Sequence, residues 1–139
     1  MKIAIINGPN LNLIGKREPG IYGNESFDSY FLQLRADYPA IEFTYFQSNI
    51  EGELIDEIQR VGFLFDGIVL NPGGYTHTSV ALGDAIAAVT TPLVEVHISN
   101  IFDREDFRKI SHVSARAAGV ISGLGLKGYE LAVQYLSKK

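Results

Sequence analysis

The chain has 139 residues, of which 46% are hydrophobic and 20% are charged. This size and composition predict one globular domain over residues 1–139, with a single buried core. Twelve Lys and Arg against sixteen Asp and Glu give a net charge of -4, and the scattered basic residues do not favour a nucleic-acid partner. The chain has no cysteine for a disulfide or a thiolate metal site. It also has no apolar run of the roughly 18 residues that a membrane span needs, so we expect a soluble, cytoplasmic protein.

Strand patterns and helix patterns alternate from the first residues onward. The apolar run Lys2 to Asn7 predicts a strand, and apolar residues spaced three and four apart predict a helix from about Ser26. Alternation around Phe43 predicts a second strand. Ser48, with Glu51 three residues later, predicts a capping box that opens the next helix. The expected buried face of that helix consists of four apolar residues: Leu54, Ile55, Ile58 and Val61.

The second half of the chain continues the alternation. Its predicted elements are, in order, a strand over 68–70, a small-residue helix from Val80 to Val89, a strand over 93–98, a strand over 119–122 and a terminal helix from about Leu126. Strands that alternate with helices are typical of an α/β protein. Five strands favour a flavodoxin-like three-layer sandwich with a five-stranded parallel sheet of order 2-1-3-4-5. Such sheets bind ligands beyond the carboxyl ends of the strands, near the point where the strand order reverses.

An unusually long connection, residues 7–23, follows the first strand. Most connections between a strand and a helix have about two to six residues, so a segment of this length favours a functional loop. It contains Arg17 and Tyr22, neither of which fits an apolar periodic pattern. A free phenol titrates near 10, and a neighbouring guanidinium is the natural means of making a tyrosine a base at neutral pH. A surface tyrosine packed on a Pro-Gly turn is the alternative.

Polar residues concentrate where the predicted strands end. Asn7 and Asn10 follow the first strand, Asn71 follows the third, and Glu95-Val96-His97 closes the fourth. Side chains two apart in a strand share a face, so Glu95 can orient His97 and favour its charged form. Such a histidine suits proton donation near neutral pH, although a purely structural ion pair is the alternative.

Other features constrain the chemistry. No lysine lies within an apolar strand, which argues against imine catalysis. The chain has neither a G-x-G-x-x-G motif after the first strand nor a P-loop. Gly73-Gly74 gives a weak indication of an oxyanion cradle. His77 and Arg108 are candidates for contacts to hydroxyls or a carboxylate. No third ligand near Glu95 and His97 supports a metal site.

Three motifs together resemble one family. They are Asn7-Gly8-Pro9-Asn10-Leu11-Asn12-Leu13-Ile14-Gly15 with Arg17 and Tyr22, Asn71-Pro72-Gly73-Gly74-Tyr75-Thr76-His77-Thr78-Ser79, and Glu95-Val96-His97-Ile98-Ser99-Asn100. In this combination and order the chain resembles the type II 3-dehydroquinate dehydratases over essentially its whole length. The resemblance implies a hydro-lyase of the shikimate pathway, in aromatic amino acid biosynthesis, that converts 3-dehydroquinate to 3-dehydroshikimate. It also implies that no cofactor or metal is needed and that the chain forms a homo-oligomer, a dodecamer built from trimers.

The resemblance also implies residue roles. Tyr22 would remove the C2 proton with Arg17 beside it, and Asn10 would hold a water at the enolate oxygen. His97, supported by Glu95, would protonate the departing hydroxyl. The remaining residues would bind substrate: the Ile98 and Ser99 amides and Asn71 at its carboxylate, His77 and Arg108 at its ring hydroxyls, and Asp84 from a neighbouring subunit.

The chain departs from the family pattern at Phe102 and Val113, where many relatives carry His and Tyr, and at Ser114-Ala115-Arg116-Ala117, in place of a Ser-Pro turn. Two other classes share the predicted sheet order. A phosphorylated receiver domain needs acidic residues where Asn7 and Asn71 stand. A flavodoxin-type electron carrier needs a hydroxyl-rich phosphate loop after the first strand, and this chain has neither that loop nor a Trp to stack on a flavin.

Overall fold

The computed structural model describes residues 1–16 and 25–138. Within these residues the chain forms one five-stranded parallel sheet of order β2-β1-β3-β4-β5, which confirms the predicted fold. The strands are β1 (Lys2–Asn7), β2 (Glu42–Gln47), β3 (Gly67–Asn71), β4 (Leu93–His97) and β5 (Gly119–Ser122). The α-helices are α1 (Phe27–Asp37), α2 (Glu51–Val61), α3 (Val80–Ala88) and α4 (Lys127–Ser137). None of these helices is long and apolar enough to cross a membrane.

The core lies on both faces of the sheet. Ile3 and Ile5 of β1 belong to the cluster beneath α1 and α4, whereas Ala4 and Ile6 belong to the cluster beneath α2 and α3. Because side chains alternate along a strand, a central strand covered on both faces must be apolar throughout. This explains why β1 is a continuous apolar run, and it leaves the ends of the strands as the place where polar side chains can gather.

The start of α2 differs from the predicted capping box. The helix begins at Glu51, with Ile50 as its N-cap residue and no side-chain cap. The Ser48 hydroxyl instead accepts a hydrogen bond from the Ile50 amide at 2.9 Å and bonds to Glu53, while the Glu51 carboxylate accepts from Ser79. The prediction was wrong because Ser48 lies two residues before the N-cap, where its hydroxyl closes a turn ahead of the helix.

Two loops meet closely where the strand order reverses. The Gly8 amide donates to the Asn71 carbonyl at 2.7 Å, and a Cβ on Gly8 would lie 2.6 Å from the Pro72 carbonyl oxygen. Gly73 has φ of 58° and packs against Pro9. A side chain at Gly8 would force the loops apart, and the left-handed φ at Gly73 favours glycine. The two glycines therefore hold the loops after β1 and β3 together at one edge of the sheet.

Candidate active site

A cavity of about 140 Å³ opens at this edge of the sheet. Pockets for drug-sized molecules usually measure roughly 300–1,000 Å³, so this one suits a small metabolite. The segments that follow β1, β3 and β4 supply its lining: Pro9, Asn10, Asn71, Gly73, Gly74, His77, His97, Ile98, Ser99, Ile101, Arg104 and Arg108. The structure thus brings together seven of the residues singled out from the sequence: Asn10, Asn71, His77, His97, Ile98, Ser99 and Arg108.

Glu95 and His97 form a buried pair at the end of β4. The Glu95 side chain is 0% exposed and contacts His97 through the ring nitrogen Nε2. Burial would raise the pKa of Glu95, but hydrogen bonds from His97, Ser114 and Thr76 outweigh burial and hold the pKa below its usual value. An ionised carboxylate only accepts hydrogen bonds, so His97 Nε2 carries a proton. This leaves Nδ1 as the His97 nitrogen that can exchange a proton with a ligand.

Two hydroxyl groups complete the environment of Glu95. Thr76 Oγ1 donates to Glu95 Oε2 at 2.6 Å, and Ser114 Oγ donates to Oε1 at 2.5 Å. Ser111 Oγ lies 2.7 Å from Thr76 Oγ1. Sequence reasoning missed the roles of these three residues. Thr76 and Ser114 are each 19 positions from Glu95, and Ser111 bonds to Thr76, so no periodic signal links any of them to Glu95. Thr76 could have been identified as a candidate, since it directly precedes His77 in the second motif.

His77 lies beside His97 and is held in one tautomer. Its Nδ1 lies 2.7 Å from the Ile110 carbonyl oxygen, and the two imidazole centres are 6.5 Å apart. A carbonyl only accepts, so Nδ1 carries the proton and Nε2 is left as an acceptor. Burial lowers the pKa of His77, which outweighs the opposing effect of the Ile110 carbonyl, and His97 and Arg108 lower the pKa further. His77 is therefore neutral at pH 7 and can accept a hydrogen bond from a ligand hydroxyl.

The amide of Asn71 is fixed by a tyrosine from α4. Asn71 Nδ2 donates to Tyr129 Oη at 2.9 Å, and that hydroxyl donates to Asn7 Oδ1 at 2.7 Å. Asn71 Oδ1 accepts from the Gly73 amide at 3.1 Å. The Gly73 amide is therefore occupied by Asn71 and is not free for a ligand. One N–H of Asn71 Nδ2 remains for a ligand in the cavity, whereas Asn7 is a buried support for Tyr129.

Part of the cavity lining is cationic. Arg104 and Arg108 both line the cavity, and no carboxylate does among the described residues. Arg108 is anchored by its Nε, which donates to Glu105 at 2.9 Å. Within residues 1–16 and 25–138, neither the Ile98 nor the Ser99 amide donates a hydrogen bond to the protein. A chain with a net charge of -4 thus presents a locally positive cavity with unpaired N–H donors, which favours a carboxylate ligand.

Some predicted residues do not meet in the cavity. Asp84 is solvent-exposed on α3 and does not line it. Arg17 and Tyr22 lie outside the described residues. No group of three His, Asp or Glu side chains within the described ranges is placed to hold a metal ion.

The departures from the family pattern have different structural settings. Val113 is fully buried in the cluster beneath α2 and α3, whereas Phe102 is 59% exposed. Ser114 retains a hydroxyl at the position where it reaches Glu95. Neither Phe102 nor Val113 lines the cavity, and none of residues 114–117 does.

Comparison with known proteins decides the family. The model of the family "Dehydroquinase class II" matches residues 1–137. The chain belongs to the class II dehydroquinase family. A 3-dehydroquinate dehydratase of Fusobacterium nucleatum subsp. nucleatum is 56% identical over 142 aligned positions, which cover 98% of this chain and 96% of the relative. A 3-dehydroquinate dehydratase of Legionella pneumophila (strain Corby) is 50% identical, with 99% and 97% covered.

Solved class II dehydroquinases share the fold. The crystal structure of a type II dehydroquinase from Butyrivibrio crossotus superposes with a TM-score of 0.93 at 49% identity and covers 99% of this chain and 98% of its own. A type II dehydroquinase from Propionibacterium acnes gives a TM-score of 0.92 at 38% identity, with 99% and 97% covered. The family match spans every cavity residue described above, so the site belongs to the part of the chain that class II dehydroquinases share.

Proposed function

We propose that this cavity dehydrates 3-dehydroquinate to 3-dehydroshikimate by loss of water through an enolate, in the shikimate pathway. The observation that carries the proposal is the buried Glu95–His97 pair, in which Nε2 of His97 contacts Glu95 and His97 itself lines a small cationic cavity. A protonated imidazole held by a carboxylate suits the release of a hydroxyl as water. The arginines of the cavity suit the carboxylate of the substrate. The choice of this reaction rests on the membership of the chain in the class II dehydroquinase family. We further propose that residues 1–139 form a single catalytic domain and that the enzyme works in the cytoplasm.

The reaction divides into two proton transfers. Tyr22, as phenolate beside Arg17, takes the proton from C2, and the electron pair moves onto the C3 carbonyl oxygen to form an enolate. A water held by Asn10 stabilises that oxygen. The enolate then collapses, the C1–C2 double bond forms, and the C1–O bond breaks as His97 gives its Nδ1 proton to the departing hydroxyl. Proton, electron pair and leaving group are then all accounted for, without an imine.

Binding groups surround the ring of the substrate. The Ile98 and Ser99 amides and the remaining N–H of Asn71 bind the carboxylate, since all three belong to the cavity lining and are free of acceptors among the described residues. His77 Nε2 accepts from a ring hydroxyl, and Arg108 donates to one. This division of donors and acceptors orients the ring with the C1 hydroxyl toward His97.

One assay tests the activity directly. The purified chain is incubated with 3-dehydroquinate, and the conjugated enone of the product is followed in the near ultraviolet. We expect absorbance to rise until equilibrium, and to fall toward the same value when 3-dehydroshikimate is supplied instead. No absorbance change at micromolar protein would refute the proposed activity.

The activity is expected to survive exhaustive chelation and treatment with borohydride in the presence of substrate. The reason is that, among the residues that the structure describes, no lysine lines the cavity and none is buried in a strand, so we expect no imine to reduce. Turnover and intact mass are measured before and after treatment. Inactivation with addition of substrate mass to a lysine would contradict the proposed route.

We also propose that the active unit is a homo-oligomer, a dodecamer built from trimers, in which Asp84 contributes to the site of a neighbouring subunit. Asp84 is exposed on α3, beside the exposed apolar Val80 and the small Ala81 and Ala88. A helix face of small residues permits close approach of another chain. An acid within such a face must be partnered once the face is covered, because an unpaired buried charge is costly.

Asp84→Ala is accordingly expected to raise KM or weaken assembly by about tenfold, the cost of one charged hydrogen bond. Asp56→Ala is the matched control, since Asp56 is also exposed, on α2, and does not line the cavity. KM and sedimentation velocity are measured for both variants. A fully active monomer at micromolar concentration would overturn the proposal and leave the roles of His97 and Tyr22 intact.

A further inference from the structure

Glu95 acts on the cavity only through its neighbours. Its side chain is 0% exposed and does not line the cavity. Its partners are His97, the Thr76 hydroxyl and the Ser114 hydroxyl, so both carboxylate oxygens are occupied by donors from three separate segments. A carboxylate held by several donors has a fixed orientation, and its hydrogen bond to Nε2 then fixes the orientation of the imidazole.

The direction of the hydroxyl protons is determined by Ser111. Ser111 Oγ accepts from the amides of Val113 at 3.1 Å and Ser114 at 3.0 Å. With its lone pairs occupied, Ser111 must donate its own proton to Thr76 Oγ1, 2.7 Å away. The proton of Thr76 is then free to point at Glu95. The chain of donors from Ser111 through Thr76 to Glu95 therefore has a single allowed direction.

The same segment also holds the second histidine of the cavity. The Ile110 carbonyl accepts from His77 Nδ1 at 2.7 Å, and the His112 amide donates to the Thr76 carbonyl at 2.8 Å. Residues 110–114 thus bind the turn that carries Thr76 and His77. One short segment, remote in sequence from both histidines, orders both.

We propose that Thr76 and Ser114 are positioning residues whose hydroxyls, with Thr76 directed by Ser111, hold Glu95 as an oriented carboxylate and keep His97 with Nδ1 available to the substrate. This inference rests on the proposed function and extends it to residues that do not touch the substrate. The 110–114 segment thus supports the two histidines without lining the cavity.

Loss of either hydroxyl is expected to change the pH dependence of turnover. Within the described residues, the titratable groups that act on Glu95 are His97 on β4 and His77 on the neighbouring turn. Arg104 and Arg108 are the other charged groups of the cavity lining, and Arg108 acts on His77. Donors to an ionised carboxylate lower its pKa, so removing one raises the pKa of Glu95. Protonation of Glu95 then begins at higher pH, and the acid limb of the rate profile moves upward. The loss of rate is therefore largest at low pH and shrinks as pH rises.

The first experiment measures kcat and KM against pH for Thr76→Val and Ser114→Ala. Each is expected to lower kcat about tenfold at acidic pH, with little change in KM, because general acid catalysis contributes roughly 10²–10⁴ and the group itself is retained. The acid limb should shift upward by about one pH unit for the loss of one hydrogen bond of ordinary strength. Thr76→Ser and Ser114→Thr restore the hydroxyl and should restore both values. If Thr76→Val does not fold, Ser114→Ala decides, because Ser114 is only half-buried.

The matched control is Thr91→Val. Thr91 is also a buried threonine, and its hydroxyl donates to the Phe65 carbonyl at 2.9 Å, away from the cavity. It should lower the melting temperature without moving the pH profile. A pH-independent loss of rate in Thr76→Val, equal to that in Thr91→Val, would show a merely structural role and overturn the proposal.

The second experiment needs no turnover. The chain has three histidines, so the nitrogen-15 shifts of labelled histidine can be assigned by replacing His112 and His77 in turn. The spectra are recorded at a pH at which His97 is neutral. There the unsubstituted chain should show Nε2 protonated, and Thr76→Val and Ser114→Ala should show a mixture of tautomers. An unchanged His97 spectrum in both would overturn the inference. An unsubstituted chain without turnover would refute the proposed activity, while the spectra would still decide the hydrogen-bond arrangement.

Discussion

A Tyr22→Phe variant is expected to lose turnover by about 10³-fold or more, while KM stays within an order of magnitude, because the ring remains and only the proton acceptor is removed. A phenol titrates near 10, and acting as a base at neutral pH requires a shift of roughly three units, about 4 kcal/mol. We assign that stabilisation to the guanidinium of Arg17. Arg17→Lys should therefore also be severely impaired, since a mobile ammonium does not reproduce a planar guanidinium.

Tyr135→Phe is the control for the tyrosine replacement. Tyr135 is 57% exposed on α4 and lies outside the cavity lining, so its variant should retain kcat and KM. Steady-state kinetics and a C2-deuterated substrate measure the effect. Near-normal turnover of Tyr22→Phe would place the base elsewhere in the chain and remove the role given to the loop after β1.

The sheet could be predicted from sequence because its signals are local and repeated. Strand β1 is covered on both faces and must be apolar throughout, so its boundaries at Lys2 and Asn7 are visible in a single segment. The same logic places Asn71 and His97 together, since both close parallel strands and parallel strands end at one edge. The predicted strand order is therefore enough to place Asn71 and His97 in one site, without any knowledge of side-chain contacts.

The supports of the site could not be predicted in the same way. Ser111 and Ser114 lie in an irregular segment, where a hydroxyl has no periodicity to show which partner it serves. Tyr129 fits the apolar face of α4, and its spacing alone indicates packing. Only the fold shows that its hydroxyl joins Asn7 to Asn71. Sequence motifs reveal groups that contact a ligand, whereas groups that orient those residues become visible only when distant segments are brought together.

The Ser48–Glu51 pattern shows a further limit. The spacing fits a capping box, but Glu51 has a competing partner in Ser79, which belongs to the N-terminus of a different helix. A local rule assumes that the local partner is the best one available. Here tertiary packing of α2 against α3 provides another, and the cap moves by two residues.

Glu95→Gln is expected to lower kcat by about 10²-fold with a smaller change in KM, because Glu95 orients His97 without lining the cavity. The amide presents an NH₂ group on one side, where Thr76, Ser114 or His97 already directs a donor, so at least one donor is left unpaired. An unpaired buried donor costs about 1–3 kcal/mol. The variant should therefore also melt at a lower temperature.

The pH profile of Glu95→Gln distinguishes the effect of the charge of Glu95 on turnover from the effect of its shape. Glutamine does not titrate, so any acid limb that arises from protonation of Glu95 should be absent in the variant, and the residual rate should depend less on pH in the acid range. Glu57→Gln is the control: Glu57 is another largely buried glutamate, paired with Arg60 on α2 away from the cavity. It should lose stability and keep its kcat and pH profile. If Glu95→Gln retained both the kcat and the acid limb of the unsubstituted chain, the pair with His97 would be structural and the proton donor would have to be sought elsewhere in the cavity.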